Sequence, residues 1–150
     1  MIRETTDVLS AHELADALRP ILLRLTRELR RETEELGVTS RQATLLWLIH
    51  RDPGCAPRDL ARWEGITGPS LSGHLDRLEA AGLVERVRST EDRRRVGITL
   101  TADGERTLRR IRARRTTWLA TRLDALEDGE RAEITDALPA LRRLLEGEAR

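Results

Sequence analysis

Residues 83–115 contain the chain's most concentrated chemical feature, which is positive charge. The segment has eleven arginines and five acids, a surplus of six in a chain whose net charge is only +1. Arg93, Arg94 and Arg95 are consecutive within a polar stretch, and adjacent guanidiniums repel one another unless an anion lies nearby. This asymmetry favours a polyanionic partner for the segment, with solvated surface charge as the alternative.

The sequence offers little that could perform catalysis. Ser70 and His74 are four residues apart, but a nucleophile and its base need a third orienting group, and none is evident. No nucleophile elbow or phosphate-binding loop is present. The three histidines are scattered, so we predict no metal site, no cofactor and no enzymatic activity. Cys55 is the only cysteine, and it follows Pro53 and Gly54 in a predicted loop; a structural role is favoured over redox sensing.

The elements that must position these side chains begin with two short helices joined by a turn. Pro57 suits a first helical turn, where its missing N–H is no loss. Gly65 can adopt the left-handed conformation that ends a helix, and Thr67 can cap the next one. This pattern predicts a helix-turn-helix, whose second helix can lie in a DNA major groove.

The second helix is predicted from Ser70 to Ala81, with one face buried by leucines spaced three or four residues apart. Its other face is small or able to form hydrogen bonds. Gly73 would let the backbone approach base edges closely, and Arg77 is placed for a phosphate. The alternative is an ordinary solvated face. The residues assigned to DNA binding on this helix and in the turn before it are Thr67, Pro69, Ser70, Ser72, Gly73, His74 and Arg77.

A β-hairpin is predicted after Gly82. Apolar and small residues alternate from 96 to 100, the period of a half-buried strand, and residues 83–88 form its partner. The arginine-rich loop 89–95 is then the tip of a wing beside the second helix.

The helix PSLSGHLDRLEAAGLVER and the wing EDRRRVGITLTADGE together resemble the MarR family of bacterial transcriptional regulators. Asp92-x-Arg94 and Leu100-Thr101-x-x-Gly104 match the family's D-x-R and L-T-x-x-G patterns. The resemblance implies that Arg94 enters the minor groove, oriented by Asp92. We assign phosphate contacts to neighbouring arginines, so the wing set is Arg86, Arg88, Asp92, Arg93, Arg94 and Arg95.

Amphipathic helices are predicted on both sides of this unit. Capping boxes at Ser10 and Thr39 open two of them, Pro20 should kink the first, and Pro139 should bend or loosen the last, which Asp128 should cap. The predicted fold is mainly α with a small β-hairpin wing. A winged helix-turn-helix core spans residues 40–101, and residues 10–36 and 102–147 form flanking dimerisation helices, as the resemblance also implies.

The predicted function is sequence-specific binding to double-stranded DNA by a homodimer that reads a palindromic operator, most simply as a repressor. The alternative is a winged-helix protein-interaction module without sequence-specific DNA binding. Tryptophans are expected in the core or an interface. The resemblance also implies a small aromatic or phenolic effector, for which Trp47, His50 and Trp118 could line a crevice. No signal peptide or membrane-spanning run is evident, so the chain is expected to be cytoplasmic.

Overall fold

The computed structural model describes residues 8–88 and 96–146. Within them the chain forms six helices and a two-stranded hairpin: α1 (Ala11–Glu34), α2 (Ser40–Arg51), α3 (Pro57–Glu64), α4 (Gly68–Ala80), β1 (Val84–Arg88), β2 (Val96–Leu100), α5 (Ala102–Asp124) and α6 (Asp128–Glu146). The described residues up to Arg114 make one compact unit and those from Arg115 onward make a second. The predicted fold class, mainly α with a small β-hairpin, is confirmed.

Helices α1 and α2 begin at the predicted capping boxes. The Ser10 hydroxyl accepts from the Glu13 N–H at 3.3 Å while the Glu13 carboxylate accepts from the Ser10 N–H at 2.9 Å. Thr39 and Gln42 form the same reciprocal pair. Because each box satisfies two otherwise unpaired N–H groups, these starts are set locally. Helix α1 continues as one helix through Pro20, and the kink predicted there stays a prediction.

Helices α3 and α4 form the predicted helix-turn-helix. Pro57 is the first residue of α3, and Gly65 ends it with a φ of 64°, a conformation that glycine adopts without steric cost. Thr67 caps α4 by accepting from the Ser70 N–H at 3.4 Å. Helix α4 therefore begins at Gly68, two residues before the predicted start, because Pro69 is tolerated in a first turn.

The hairpin pairs β1 with β2 in antiparallel register, from Val84 opposite Leu100 to Arg88 opposite Val96. A third segment joins the middle of β2, since the backbone of Ile98 accepts from the Gly54 N–H at 2.9 Å and donates to the Cys55 carbonyl at 3.0 Å. The approach is so close that a Cβ at position 97 would collide with the Gly54 carbonyl. The predicted wing residues Asp92, Arg93, Arg94 and Arg95 lie outside the described residues.

The core of the first unit is aliphatic, and it lies beneath α4 and the hairpin. Leu71, Leu75 and Leu78 of α4 are buried, as their spacing predicted. Trp47 and Trp63 are not core residues, because their side chains are exposed; of the two predicted locations, the core is excluded for them and an interface stays a prediction. The largest fully buried side chains are Leu45, Leu46, Ile49, Leu60, Leu71, Leu75, Leu78, Ile98, Ile111 and Thr33.

Helices α5 and α6 begin differently. The Thr101 hydroxyl caps α5 by accepting from the Gly104 N–H at 3.0 Å. The predicted cap at Asp128 is wrong by one residue: Asp128 is already helical, and the Glu127 N–H donates instead to the Glu130 carboxylate at 2.9 Å. Helix α6 runs through Pro139 to Glu146, so the bend predicted there stays untested.

None of the helices in residues 8–88 and 96–146 is long and apolar enough to cross a membrane.

Candidate nucleic-acid interface

Helix α4 presents a polar face on the side away from its leucines. Thr67, Pro69, Ser70, Ser72 and Arg77 are exposed, and Gly73 is half-buried. Positions 69, 73, 76, 77 and 80 lie farthest around the helix from Leu71, Leu75 and Leu78, because successive residues turn by about 100°. The structure therefore places Pro69, Gly73 and Arg77 together on this face, with Ser70 and Ser72 at its two edges.

Gly73 is an interior helical residue with open space above it. An added Cβ would meet only the Arg77 guanidinium, at 4.0 Å, which is ordinary van der Waals contact. The φ angle is not positive, so the backbone conformation does not require glycine either. Glycine costs a helix interior about 1 kcal/mol relative to alanine. Neither space nor backbone conformation within the folded unit therefore requires glycine at this position.

His74 does not lie fully on the exposed face, which corrects the predicted orientation. It is half-buried at the edge of the leucine face, and its Nδ1 is buried without a hydrogen-bond partner among the described residues. Burial lowers the pKa of His74, and the charges of Arg77 and Arg41 lower it further. The ring is therefore neutral at pH 7 and suits hydrogen bonding to a base edge better than ion pairing with a phosphate.

The two described arginines of the wing differ in their surroundings. Arg86 donates from Nη2 to Asp76 Oδ1 at 2.7 Å, and its Nε lies 3.2 Å from Glu79 Oε2. Arg88, two residues along the same strand, is exposed and has no charged partner within residues 8–88 and 96–146. Arg88 thus fits the predicted phosphate role, whereas Arg86 already holds two carboxylates. Sequence reasoning missed these carboxylates because they lie seven and ten residues away on another element.

Three comparisons with known proteins bear on this site. A model of the MarR family matches residues 36–95, a span that covers α2, α3, α4 and β1. The HTH-type transcriptional regulator FarR of Neisseria gonorrhoeae is 39% identical over 72 residues, which cover 48% of this chain and 49% of FarR. The uncharacterized HTH-type transcriptional regulator YfiV of Bacillus subtilis is 30% identical over 115 residues, which cover 77% of this chain and 72% of YfiV.

This chain belongs to the MarR family. Its fold is also that of a solved structure of a MepR mutant from S. aureus bound to an oligodeoxyribonucleotide, with a TM-score of 0.67 over 92% of this chain and 99% of that one at 24% identity. The resemblance seen in the recognition helix and wing is therefore confirmed, and winged-helix transcription regulators are its relatives.

The effector residues predicted for this MarR-family chain fall into both units. Trp47 and His50 lie on α2, and Trp118 lies in the second unit, where the Arg122 guanidinium is 3.5 Å from its ring centroid. His50 Nδ1 is 3.0 Å from Glu105. The sequence did not reveal a cluster on α2 and α3, in which the Arg51 guanidinium lies 5.0 Å from the Trp47 ring centroid and 5.2 Å from that of Trp63.

Cys55 is a poor candidate for redox sensing. Its side chain is buried in the bridge to β2, with 5% of its surface exposed. Burial raises the pKa of the Cys55 thiol to about 11, and Asp52 adds to the effect. Because the thiolate is the reactive species, this environment suppresses reactivity at neutral pH. The geometry supports the structural role that the sequence favoured.

Proposed function

We propose that this chain is a sequence-specific regulator that binds double-stranded DNA as a homodimer on palindromic operators and acts as a repressor. The observation that carries the proposal is the outward face of α4, where Gly73 leaves the backbone uncovered beside Ser70 and Arg77. Small side chains let a helix enter a major groove, and hydroxyl and guanidinium donors can read base edges or hold phosphates there.

Arg88 supplies the second part of a winged-helix interface. Salt bridges from Arg86 hold β1 against α4, and the exposed guanidinium of Arg88 follows two residues further toward the wing tip. Within the proposal, Arg94 at that tip enters the minor groove and Asp92 orients it. A narrow minor groove attracts arginine through its enhanced negative potential.

The homodimer is supported by apolar side chains that each unit leaves exposed. Leu14, Ile21 and Leu22 of α1 are about half exposed, and none of the residues of α6 is buried. Exposed apolar surface of this extent favours a protein partner, and a second copy related by a two-fold axis is the commonest solution. A two-fold dimer places two recognition helices roughly 34–36 Å apart, which is why a palindrome is expected. Because a dimer seated on a promoter excludes other proteins from that DNA, repression is its simplest consequence.

Light scattering tests the assembly. We expect twice the chain mass at micromolar concentration, and a monomeric or aggregating protein after removal of residues 128–150. A full-length chain that stays a soluble monomer would contradict the dimer.

Selection of bound duplexes from a randomised pool tests recognition. We expect one palindrome to be enriched, with an affinity that falls steeply as salt rises. Placing that palindrome over a reporter promoter then tests repression, for which expression should fall when the protein is present. If the pool yields no preferred site, the protein-interaction alternative replaces DNA recognition.

We extend the proposal to release by a small aromatic acid. The exposed indole of Trp47 offers a stacking face, and the neighbouring Arg51 offers a cation to a carboxylate. Benzoate and 4-hydroxybenzoate are suitable probes. Either should change tryptophan fluorescence and release the selected duplex, and Trp47→Leu should abolish both responses; release that survives in the variant would exclude this site.

A further inference from the structure

Arg86 joins the wing to the recognition helix through two acids of α4. Its Nη2 is 2.7 Å from Asp76 Oδ1, and its Nε is 3.2 Å from Glu79 Oε2. Asp76 and Glu79 are three residues apart, so they are neighbours on one side of the helix. A single guanidinium from the middle of β1 therefore spans both carboxylates.

These ion pairs are too exposed to matter much for stability. The side chains of Arg86, Asp76 and Glu79 keep between 39% and 62% of their surface in solvent. Exposed pairs of this kind contribute little to folding because water and salt screen them. These ion pairs nevertheless fix an orientation, because a planar guanidinium bonds carboxylates along fixed directions.

The two acids also pose an electrostatic problem for a helix that faces DNA. Asp76 lies on the outward side of α4, where an unpaired carboxylate would repel phosphates. Arg86 offsets that charge only while it stays on the acids. A guanidinium that left them for a phosphate would expose two negative charges beside the polyanion, so phosphate binding by Arg86 gains little.

We propose that Arg86 is a positioning residue, which sets the direction in which the wing leaves the recognition helix by holding Asp76 and Glu79. The inference rests on the proposed function, and it replaces the phosphate role that the sequence suggested for Arg86. As a consequence, the ion pairs of Arg86 with Asp76 and Glu79 set the distance between the part of the protein that contacts the major groove and the part that contacts the minor groove. Weakening these ion pairs should therefore lower affinity for the correct site and leave non-specific affinity for DNA unchanged.

Three variants separate positioning from phosphate binding: Arg86→Lys, Asp76→Asn and, as the matched control, Arg88→Gln. Lysine keeps the charge but cannot hold two carboxylates in a fixed plane, so Arg86→Lys should lower affinity for the selected palindrome about tenfold and leave affinity for random duplex unchanged. Its salt dependence should match that of the wild type. Arg88→Gln should weaken both duplexes alike and reduce the slope of log affinity against log salt by about 0.9 for each phosphate that is no longer neutralised.

Asp76→Asn gives the sharpest distinction because the two roles predict opposite signs. If Arg86 positions the wing, removing this carboxylate should weaken palindrome binding even though the protein becomes more positive. If Arg86 binds phosphate, the variant frees its guanidinium and should tighten both duplexes. The double variant Asp76→Asn with Arg86→Gln should bind the palindrome no worse than Arg86→Gln alone, since partners in one interaction are not additive.

Unaltered palindrome binding by Arg86→Lys, or tighter binding by Asp76→Asn, would overturn the positioning role. Unchanged thermal unfolding of each variant shows that the fold is retained. Failure of the proposed function is distinguishable, because the wild type itself would then select no palindrome from the randomised pool.

Discussion

Replacing Gly73 with alanine should stabilise the folded protein and weaken its binding to DNA. An alanine Cβ at this position meets only Arg77 Nη2 at 4.0 Å, so no strain is introduced. Alanine is favoured over glycine in a helix interior by about 1 kcal/mol. For a chain of this size that gain raises the midpoint of thermal unfolding by about 2–4 °C, measured at fixed protein concentration because dimers unfold in a concentration-dependent way.

Binding should respond in the opposite direction, because the same methyl group points toward the proposed groove. If the backbone at Gly73 approaches a base pair, the methyl pushes the helix away from it at a cost comparable to one mismatched pair, about 1–3 kcal/mol. A dimer bears this cost in both half-sites, so affinity for the palindrome should fall roughly 30-fold or more. The effect is steric, so it should persist across salt concentrations.

Fluorescence anisotropy with the selected duplex measures affinity, and calorimetry measures unfolding. Gly129→Ala is the matched control, since Gly129 is also helical and has nothing within 4 Å of an added Cβ, but it lies in α6. Because Gly129 lies in a helix assigned to the dimer, light scattering should first show that the control keeps the mass of the wild type, and its DNA binding should then be unchanged. A Gly73→Ala protein that binds the palindrome as tightly as the wild type would show that α4 does not approach DNA at this residue, and a destabilised one would show that the glycine serves the fold.

Other predictions concern single side chains. Cys55 should resist thiol reagents in the folded protein at neutral pH and react once the protein unfolds. Burial raises the pKa of the folded thiol to about 11, whereas the unfolded thiol has a pKa of about 8.5, so the free energy of unfolding should fall as the pH rises from about 8.5 toward 11. Denaturation at pH 8 and at pH 10.5 measures this loss. Arg94→Ala should weaken operator binding by about 1–3 kcal/mol and leave thermal unfolding unchanged. If the variant binds the operator as tightly as the wild type at two salt concentrations, Arg94 is not part of the interface. His74→Ala should change which bases are selected, and an identical selected site would exclude base reading there.

The sequence was most informative where a single turn of chain decides the structure. Thr39, Gly65 and Thr67 each act within three residues of their own position, so their roles as caps and terminator could be predicted and are confirmed. The same local reasoning failed by one residue at Asp128. The carboxylate of Glu130 accepts from the Glu127 N–H, so Glu127 is the cap and Asp128 is the first helical residue. Helix ends depend on which of several adjacent polar groups makes the better bond.

Non-local contacts could not be predicted in this way. Arg86 is one of many arginines in the sequence, and only the folded chain shows that it meets Asp76 and Glu79. Likewise, the sequence left open whether Trp47 lies in the core or at an interface, and the structure excludes the core, since the indole is exposed beside Arg51. Large aromatic residues are often incompletely buried, so composition does not fix their surroundings.

The tight contact between Gly97 and Gly54 ties β2 of the wing to the loop that follows α2. The Gly54 N–H donates to the Ile98 carbonyl and the Ile98 N–H donates to the Cys55 carbonyl, so both amide hydrogens should exchange with solvent more slowly than those of the unbonded loop. Because of this contact, we expect that β2 cannot be repositioned by substitutions in the wing alone. In a mutational library, any side chain at position 97 should be accepted only together with a change in residues 52–55 that moves the Gly54 carbonyl aside. The loop after α2, although distant from the wing in sequence, thus limits which substitutions the wing can accept.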